Sequence, residues 1–207
     1  MTKLFGFEAL GFYLILEIRI LDLKNSLEIL IMHKQKDILA VNTLRVLGID
    51  PGTAIVGWAI LDETKGCVTS VAYGHITTSP KNSTAERLFE VVKDLEQIIE
   101  KYKPDEAAVE DLFFFKNVKT VMKVSQARGS ILLTLERFCV SIFEYTPLQV
   151  KQALTGYGRA EKKQIQLMVK NILKLKEVPK PDDTADAIAI ALCHINSRKM
   201  TAVKKNC

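Results

Sequence analysis

Arg45-Val-Leu-Gly-Ile-Asp50-Pro-Gly-Thr-Ala-Ile-Val-Gly57-Trp-Ala-Ile-Leu61 is the stretch that decides the architecture. An aliphatic run ends in a carboxylate, Pro51 and Gly52 impose a turn, and a second apolar run follows. Aliphatic and β-branched residues closed by Pro-Gly read as a strand and a tight turn, so Val56 to Leu61 is expected to pair back antiparallel. Asp50 then falls at a sheet edge or end, near solvent, where a carboxylate is available for chemistry. Turn formation alone is the competing reading, because Asp before Pro-Gly favours turns through local hydrogen bonds. A phosphate-cradling loop is a poor match: it needs Lys and Ser or Thr after its last glycine, and Trp58 and Ala59 follow Gly57.

Downstream, Cys67 to Thr78 reads as a third strand after the Lys65-Gly66 turn. Ser83-Thr-Ala-Glu86 is a capping box, and Leu88, Val91, Val92, Leu95, Ile98, Ile99 and Tyr102 follow at helical spacing as far as Lys103-Pro104. Glu106 to Glu110 is a short apolar strand ending in an acid. Val118 to Phe138 is a helix, Val140 to Tyr145 a strand and Pro147 to Leu154 a short helix. The loop Thr155-Gly-Tyr-Gly-Arg159 leads to a helix from Glu161 to Leu175. After Pro179-Lys-Pro181 a last helix opens at Asp182 or Asp183 and runs through Arg198, leaving residues 199–207 as a basic tail. Strands that alternate with helices run parallel. The expected fold is therefore α/β, a mixed five-stranded sheet of three antiparallel strands followed by two parallel ones, flanked by helices.

Upstream, residues 1–44 mix Phe, Leu and Ile with scattered charge and do not join this pattern, although Leu23 to Met32 has helical spacing. They read as an appendage to a domain spanning residues 45–198. Translation from a non-ATG codon at Val41 or Leu44 is one explanation, which N-terminal sequencing would reject by finding Met1 or Thr2. Ala9 to Leu16 is too short for a membrane span, and a basic head with a small-residue cleavage site is missing.

The chain has 207 residues, 48% apolar and 26% charged, the balance of a soluble globular protein with one well-buried domain. Its net charge of +5 arises entirely after residue 44 and makes a polyanionic partner plausible. Cys67, Cys139, Cys193 and Cys207 form no Cys-x-x-Cys pattern, so reduced and mostly buried thiols in a cytoplasm are expected.

Three elements deliver acids to strand or helix ends: Asp50, Glu110, and Asp183 with Asp186 one turn apart on one helix face. If the first and fourth strands are neighbours, Asp50 and Glu110 come side by side, and a helix across that end adds the other two. Four clustered carboxylates repel one another unless cations neutralise them. Hard oxygen donors suit Mg²⁺ or Mn²⁺, and two such ions roughly 3.5 to 4 Å apart activate water and stabilise a leaving oxygen in phosphodiester hydrolysis. An N-cap and a helix-dipole partner are the ordinary roles for Asp183 and Asp186. Against those roles, Ala187 to Leu192 is apolar all round, which marks a buried helix.

Leu-Gly-Ile-Asp50-Pro-Gly-Thr, Val-Glu110-Asp-Leu-Phe113, Ser-Gln126-Ala-Arg128-Gly129 and Asp183-Thr-Ala-Asp186-Ala-Ile-Ala together resemble the signature blocks of the RuvC family of Holliday-junction resolvases, in order and spacing across about Arg45 to Arg198. The resemblance implies a ribonuclease-H-like fold and a homodimeric, Mg²⁺-dependent endonuclease that nicks two opposed strands of a four-way junction in recombination and repair. It places two ions per site on Asp50, Glu110, Asp183 and Asp186, and implies RuvA and RuvB as partners. Asp111 departs from the family, which often has an amide there.

Phe113, Phe114 and Phe115 cannot all face one core, so one ring is expected beside the acids, stacking on an unpaired base. The resemblance gives that role to Phe113. Lys116 and Asn117 of the same loop, with Lys151, Arg159, Lys162 and Lys163, are the DNA-binding candidates, and the resemblance favours Lys151 and Lys162. A YqgF-like RNA nuclease of the same fold and a non-catalytic module for branched DNA are the alternatives.

Overall fold

The computed structural model describes residues 43–111 and 118–205. Their elements run β1 (Thr43–Asp50), β2 (Ile55–Thr64), β3 (Cys67–Thr77), α1 (Thr84–Tyr102), β4 (Glu106–Glu110), α2 (Val118–Arg137), β5 (Ser141–Tyr145), α3 (Pro147–Thr155), α4 (Lys162–Ile172) and α5 (Asp182–Lys205). The strands form one sheet in the order β3-β2-β1-β4-β5. β1 pairs antiparallel with β2 and β2 with β3, whereas β1 and β4, and β4 and β5, are parallel. The expected mixed sheet is present, with β1 at its centre.

Strand periodicity sorts the side chains onto two faces. Leu47 and Ile49 of β1, Val56 and Ile60 of β2 and Ala107 and Val109 of β4 pack against Val91, Leu95 and Ile99 of α1 and Ile131 and Leu135 of α2. Val46, Ala59, Leu61 and Ala108 face the other way, onto α3, α4 and the apolar length of α5. Each fully buried aliphatic side chain contributes roughly 1.5–3 kcal/mol. The same alternation puts Asp50, Glu106 and Glu110 on the α5 face, two or four residues from Val46 and Ala108.

Two glycines let α5 lie close on the sheet. A Cβ on Gly48 would collide with the carbonyl oxygen of Ala187, and one on Gly57 with that of Asp183. The first turn of α5 is thus laid directly over β2 where β2 pairs with Asp50. Thr184, fully buried, pins it further by donating to the Gly74 carbonyl of β3 at 3.2 Å.

Several expectations are corrected. Asp50 lies at a strand end as expected, but that strand is central and the residue is half-buried, because the start of α5 lies over the neighbouring strand there. The thiols are not mostly buried: among the described residues Cys67 and Cys139 are exposed and Cys193 alone is buried, since the first two sit at element ends. The last helix continues to Lys205, past Arg198, because nothing in Lys199 to Lys205 breaks a helix. The Ser83 capping box is formed as expected, with Ser83 Oγ accepting from Glu86 N and Glu86 from Ser83 N.

Candidate active site

The turn after Asp50 is built around carbonyls. Thr53 O accepts from Thr78 Oγ1 and from Arg87 Nη2, each at 2.6 Å, and Thr78 N donates to Ala54 O at 3.1 Å. Asp50 is therefore the last strand residue before a turn tied to both β3 and α1. Glu110 ends β4 beside it, because Ile49 pairs with Val109 one step earlier. On the other side Glu110 pairs with Tyr145. Asp183 and Asp186 complete the group from the first turn of α5.

The four acids form one electrostatic unit. Burial, followed by the charges of Glu110, Asp186 and Asp183, pushes the Asp50 carboxyl up to about 8. Burial, then the charge of Asp186, also raises Glu110, against the hydrogen bond from Asp50 and the charges of Lys162 and Lys151. Asp186 is raised by burial in spite of its bond to Lys162. The Lys162 ammonium stands 2.9 Å from Asp186 Oδ2 and 3.4 Å from Asp182 Oδ2. Burial lowers its pKa, but the partnership with Asp186 outweighs this and leaves it raised, so the ammonium stays charged.

A cleft of about 190 Å³ opens here, with Glu110, Asp186, Lys151 and Lys162 on its polar side and Val150 and Ile165 beneath. Acids and cations share one wall, an arrangement suited to holding a phosphate next to carboxylates. Oxygen-only donors that raise one another's pKa have the chemistry of a hard-cation site. Among the described residues no three His, Cys, Asp or Glu side chains are already drawn into a metal-holding cage, and Asp186 faces Lys162 instead. The donor set fits a divalent ion once the carboxylates turn toward it.

The structure brings Asp50, Glu110, Asp183, Asp186, Lys151 and Lys162 together. Arg159 and Lys163 are exposed and do not line the cleft. Phe113, Lys116 and Asn117 lie outside the described residues. Sequence reasoning missed Arg87 and gave Arg128 no role. Arg128 donates to the Glu110 carbonyl at 3.2 Å and bridges Asp111 and Glu144. The buried ring of His194 joins Tyr145 Oη at 2.8 Å to Glu106 at 2.6 Å beneath β4 and β5. A helical His two positions after an apolar run carries no signal of such partners, which come from other elements.

The comparisons bear on this geometry. A family model described as crossover junction endodeoxyribonuclease RuvC matches residues 46–194. The chain belongs to the RuvC family. The RuvC of Finegoldia magna is 53% identical over 156 residues, covering 75% of this chain and 95% of the relative. That of Fusobacterium nucleatum is 56% identical over 154 residues, covering 74% and 81%. Thermus thermophilus RuvC, solved in complex with a Holliday junction substrate, superposes with a TM-score of 0.73 at 36% identity, covering 76% of this chain and 96% of that one. The RuvC match contains all four acids, Lys151, Lys162 and Arg128, and starts within β1. No described helix is long and apolar enough to cross a membrane.

Proposed function

We propose that this chain is a structure-selective endonuclease that resolves four-way DNA junctions by paired symmetric nicks, hydrolysing one phosphodiester per site. Supporting this most is the grouping of strand acids Asp50 and Glu110 with helix acids Asp183 and Asp186 at one end of the sheet, where Glu110 and Asp186 line a cleft beside Lys151 and Lys162, in a chain of the RuvC family.

The four carboxylates would hold two Mg²⁺ ions, with Mn²⁺ as a substitute. Bound there, the ions would supply an activated water and charge stabilisation for the leaving oxygen. Positive charge held beside Asp50 would favour its ionised form, which burial and the neighbouring acids disfavour. Lys162, already beside Asp186, is placed to meet a phosphate oxygen, and Lys151 steadies the strand across the cleft mouth. Arg159, Lys163, Lys116 and Asn117 would extend that grip, and Phe113 would stack in the opened crossover.

A junction has two equivalent strands to cut and each chain has one such cleft, so a two-fold homodimer is the economical assembly. In α2, Ile131 and Leu135 are buried against the sheet and α1. Exposed Met122 and Leu133, with Phe89 of α1, are the apolar groups left for a partner. RuvA and RuvB are further partners on this reading, in the cytoplasm. The nuclease domain corresponds to residues 45–198, with residues 1–44 as an N-terminal extension and 199–207 as a basic C-terminal tail.

A panel of labelled four-way junction, linear duplex and structured RNA, each with Mg²⁺ or EDTA, tests the proposal. Symmetric cutting of the junction alone, only with Mg²⁺, is expected. Preferential RNA cutting would favour a YqgF-like nuclease, and junction binding without cutting would favour a non-catalytic module.

A further inference from the structure

We propose that Arg128 is the positioning residue for Glu110, acting on its main chain and not as a partner of its carboxylate. The inference rests on the reading of Glu110 as a catalytic acid. Glu110 is the last residue of β4, and the β1 ladder stops one residue earlier, at Ile49 and Val109. From there β5 holds the chain on one side only, through the Glu110–Tyr145 pairing and the Asp111 N to Tyr145 O bond at 2.8 Å. A strand end paired on a single side can swing, and the catalytic side chain swings with it.

Arg128 closes the open side. Its side chain, 17% exposed, rises from α2, and Nε donates to the Glu110 carbonyl at 3.2 Å. Nη2 meets Asp111 Oδ1 at 3.3 Å and Glu144 Oε2 at 2.5 Å. One planar fork thus spans the end of β4, the residue that follows it and the neighbouring strand, which a point-charge ammonium cannot reproduce. The turn after Asp50 is held in a similar way, by Arg87 on Thr53 O. Each outer-layer helix therefore supplies an arginine to a carbonyl beside a strand acid. Asp111 supplies Arg128 with a charged acceptor.

The test measures single-turnover cleavage of a labelled four-way junction, junction Kd in EDTA, and melting temperature, at a temperature well below every melting point. Arg128→Met is expected to slow cleavage by roughly tenfold to a hundredfold, the effect of an ångström-scale misplacement. Junction Kd should stay within about threefold, since the phosphate-gripping surface is untouched. Arg128→Lys keeps the charge beside Asp111 and Glu144 but loses the carbonyl bond. It should be slow as well, and it decides the matter if Arg128→Met does not fold. Asp111→Asn and Glu144→Gln each remove an ion pair and leave the carbonyl bond, so both should cleave within about threefold of the wild type. Wild-type cleavage by Arg128→Lys, or a loss in Glu144→Gln equal to that in Arg128→Met, would overturn the proposal in favour of a purely stabilising ion pair. Full activity in Glu110→Gln would instead remove the premise that Glu110 is catalytic and leave the placement of its main chain a separate finding.

Discussion

The two strand acids and the two helix acids reach the same end of the sheet by different physical routes. Asp50 and Glu110 come from adjacent parallel strands, so the ladder brings them side by side, and the charge of Glu110 adds to burial in raising Asp50. Asp183 and Asp186 come from a helix whose height above the sheet is set by a missing Cβ at Gly57, and Asp186 already has Lys162 against it. The strand pair is placed by the sheet, and among the described residues neither acid has an ion pair as close as that of Asp186 with Lys162. The helix pair depends on packing for its position but has a counter-charge. Removal of charge should therefore affect the two pairs alike in catalysis and unequally in stability.

The largest effect is on catalysis. Glu110→Gln and Asp186→Asn should each slow junction cleavage at least about a hundredfold, near 2.7 kcal/mol in the barrier, while junction binding measured in EDTA persists. Full activity in either would take that acid out of the site. Gly57→Ala comes next. Its new methyl group meets the Asp183 carbonyl, so α5 must shift, at roughly 1–3 kcal/mol of stability measured by denaturant titration. Cleavage should fall by tenfold or more, following the misplacement of Asp183 and Asp186. A Gly57→Ala protein with unchanged rate would show that the helix acids tolerate movement that the account forbids.

The contrast in stability is smaller and appears in pH dependence. Asp50 sits at about 8 in the folded chain, far above its ordinary value of 3.8. Between those values the folded protein keeps a proton that the unfolded chain has lost, so this group's contribution to stability falls as pH rises toward 8. Without divalent ions, Asp50→Asn should raise the melting temperature at pH 8 more than at pH 5. Asp186→Asn should show a smaller rise or none, because it strips Lys162 of its nearest partner. Equal shifts for both would erase the difference between the pairs. Smallest is Lys162→Met. With Asp186 left uncompensated, added Mg²⁺ should raise its melting temperature slightly more than that of the wild type.

Most of the sheet was legible in the chain. Strand runs closed by Pro51, Gly66 and Pro147 and the Ser83 capping box are local signals, and the structure meets them with local hydrogen bonds. The four acids were legible because each sits where a periodic segment ends. What was not legible is long-range. The burial of Asp50 needs α5 from 130 or more residues later, and Gly57 reads as an ordinary strand glycine until α5 lies on it. Arg128 and Arg87 act on carbonyls, which carry no side-chain identity to match. His194 likewise finds Tyr145 and Glu106 on two strands far behind it.

Cleavage of a labelled four-way junction by Asp50→Asn with Mg²⁺, alongside junction binding without it, tests the central claim most directly. The account predicts wild-type affinity and almost no product, with two symmetric nicks from the wild type in the same assay. Wild-type cutting by Asp50→Asn, or loss of binding together with cutting, would contradict it.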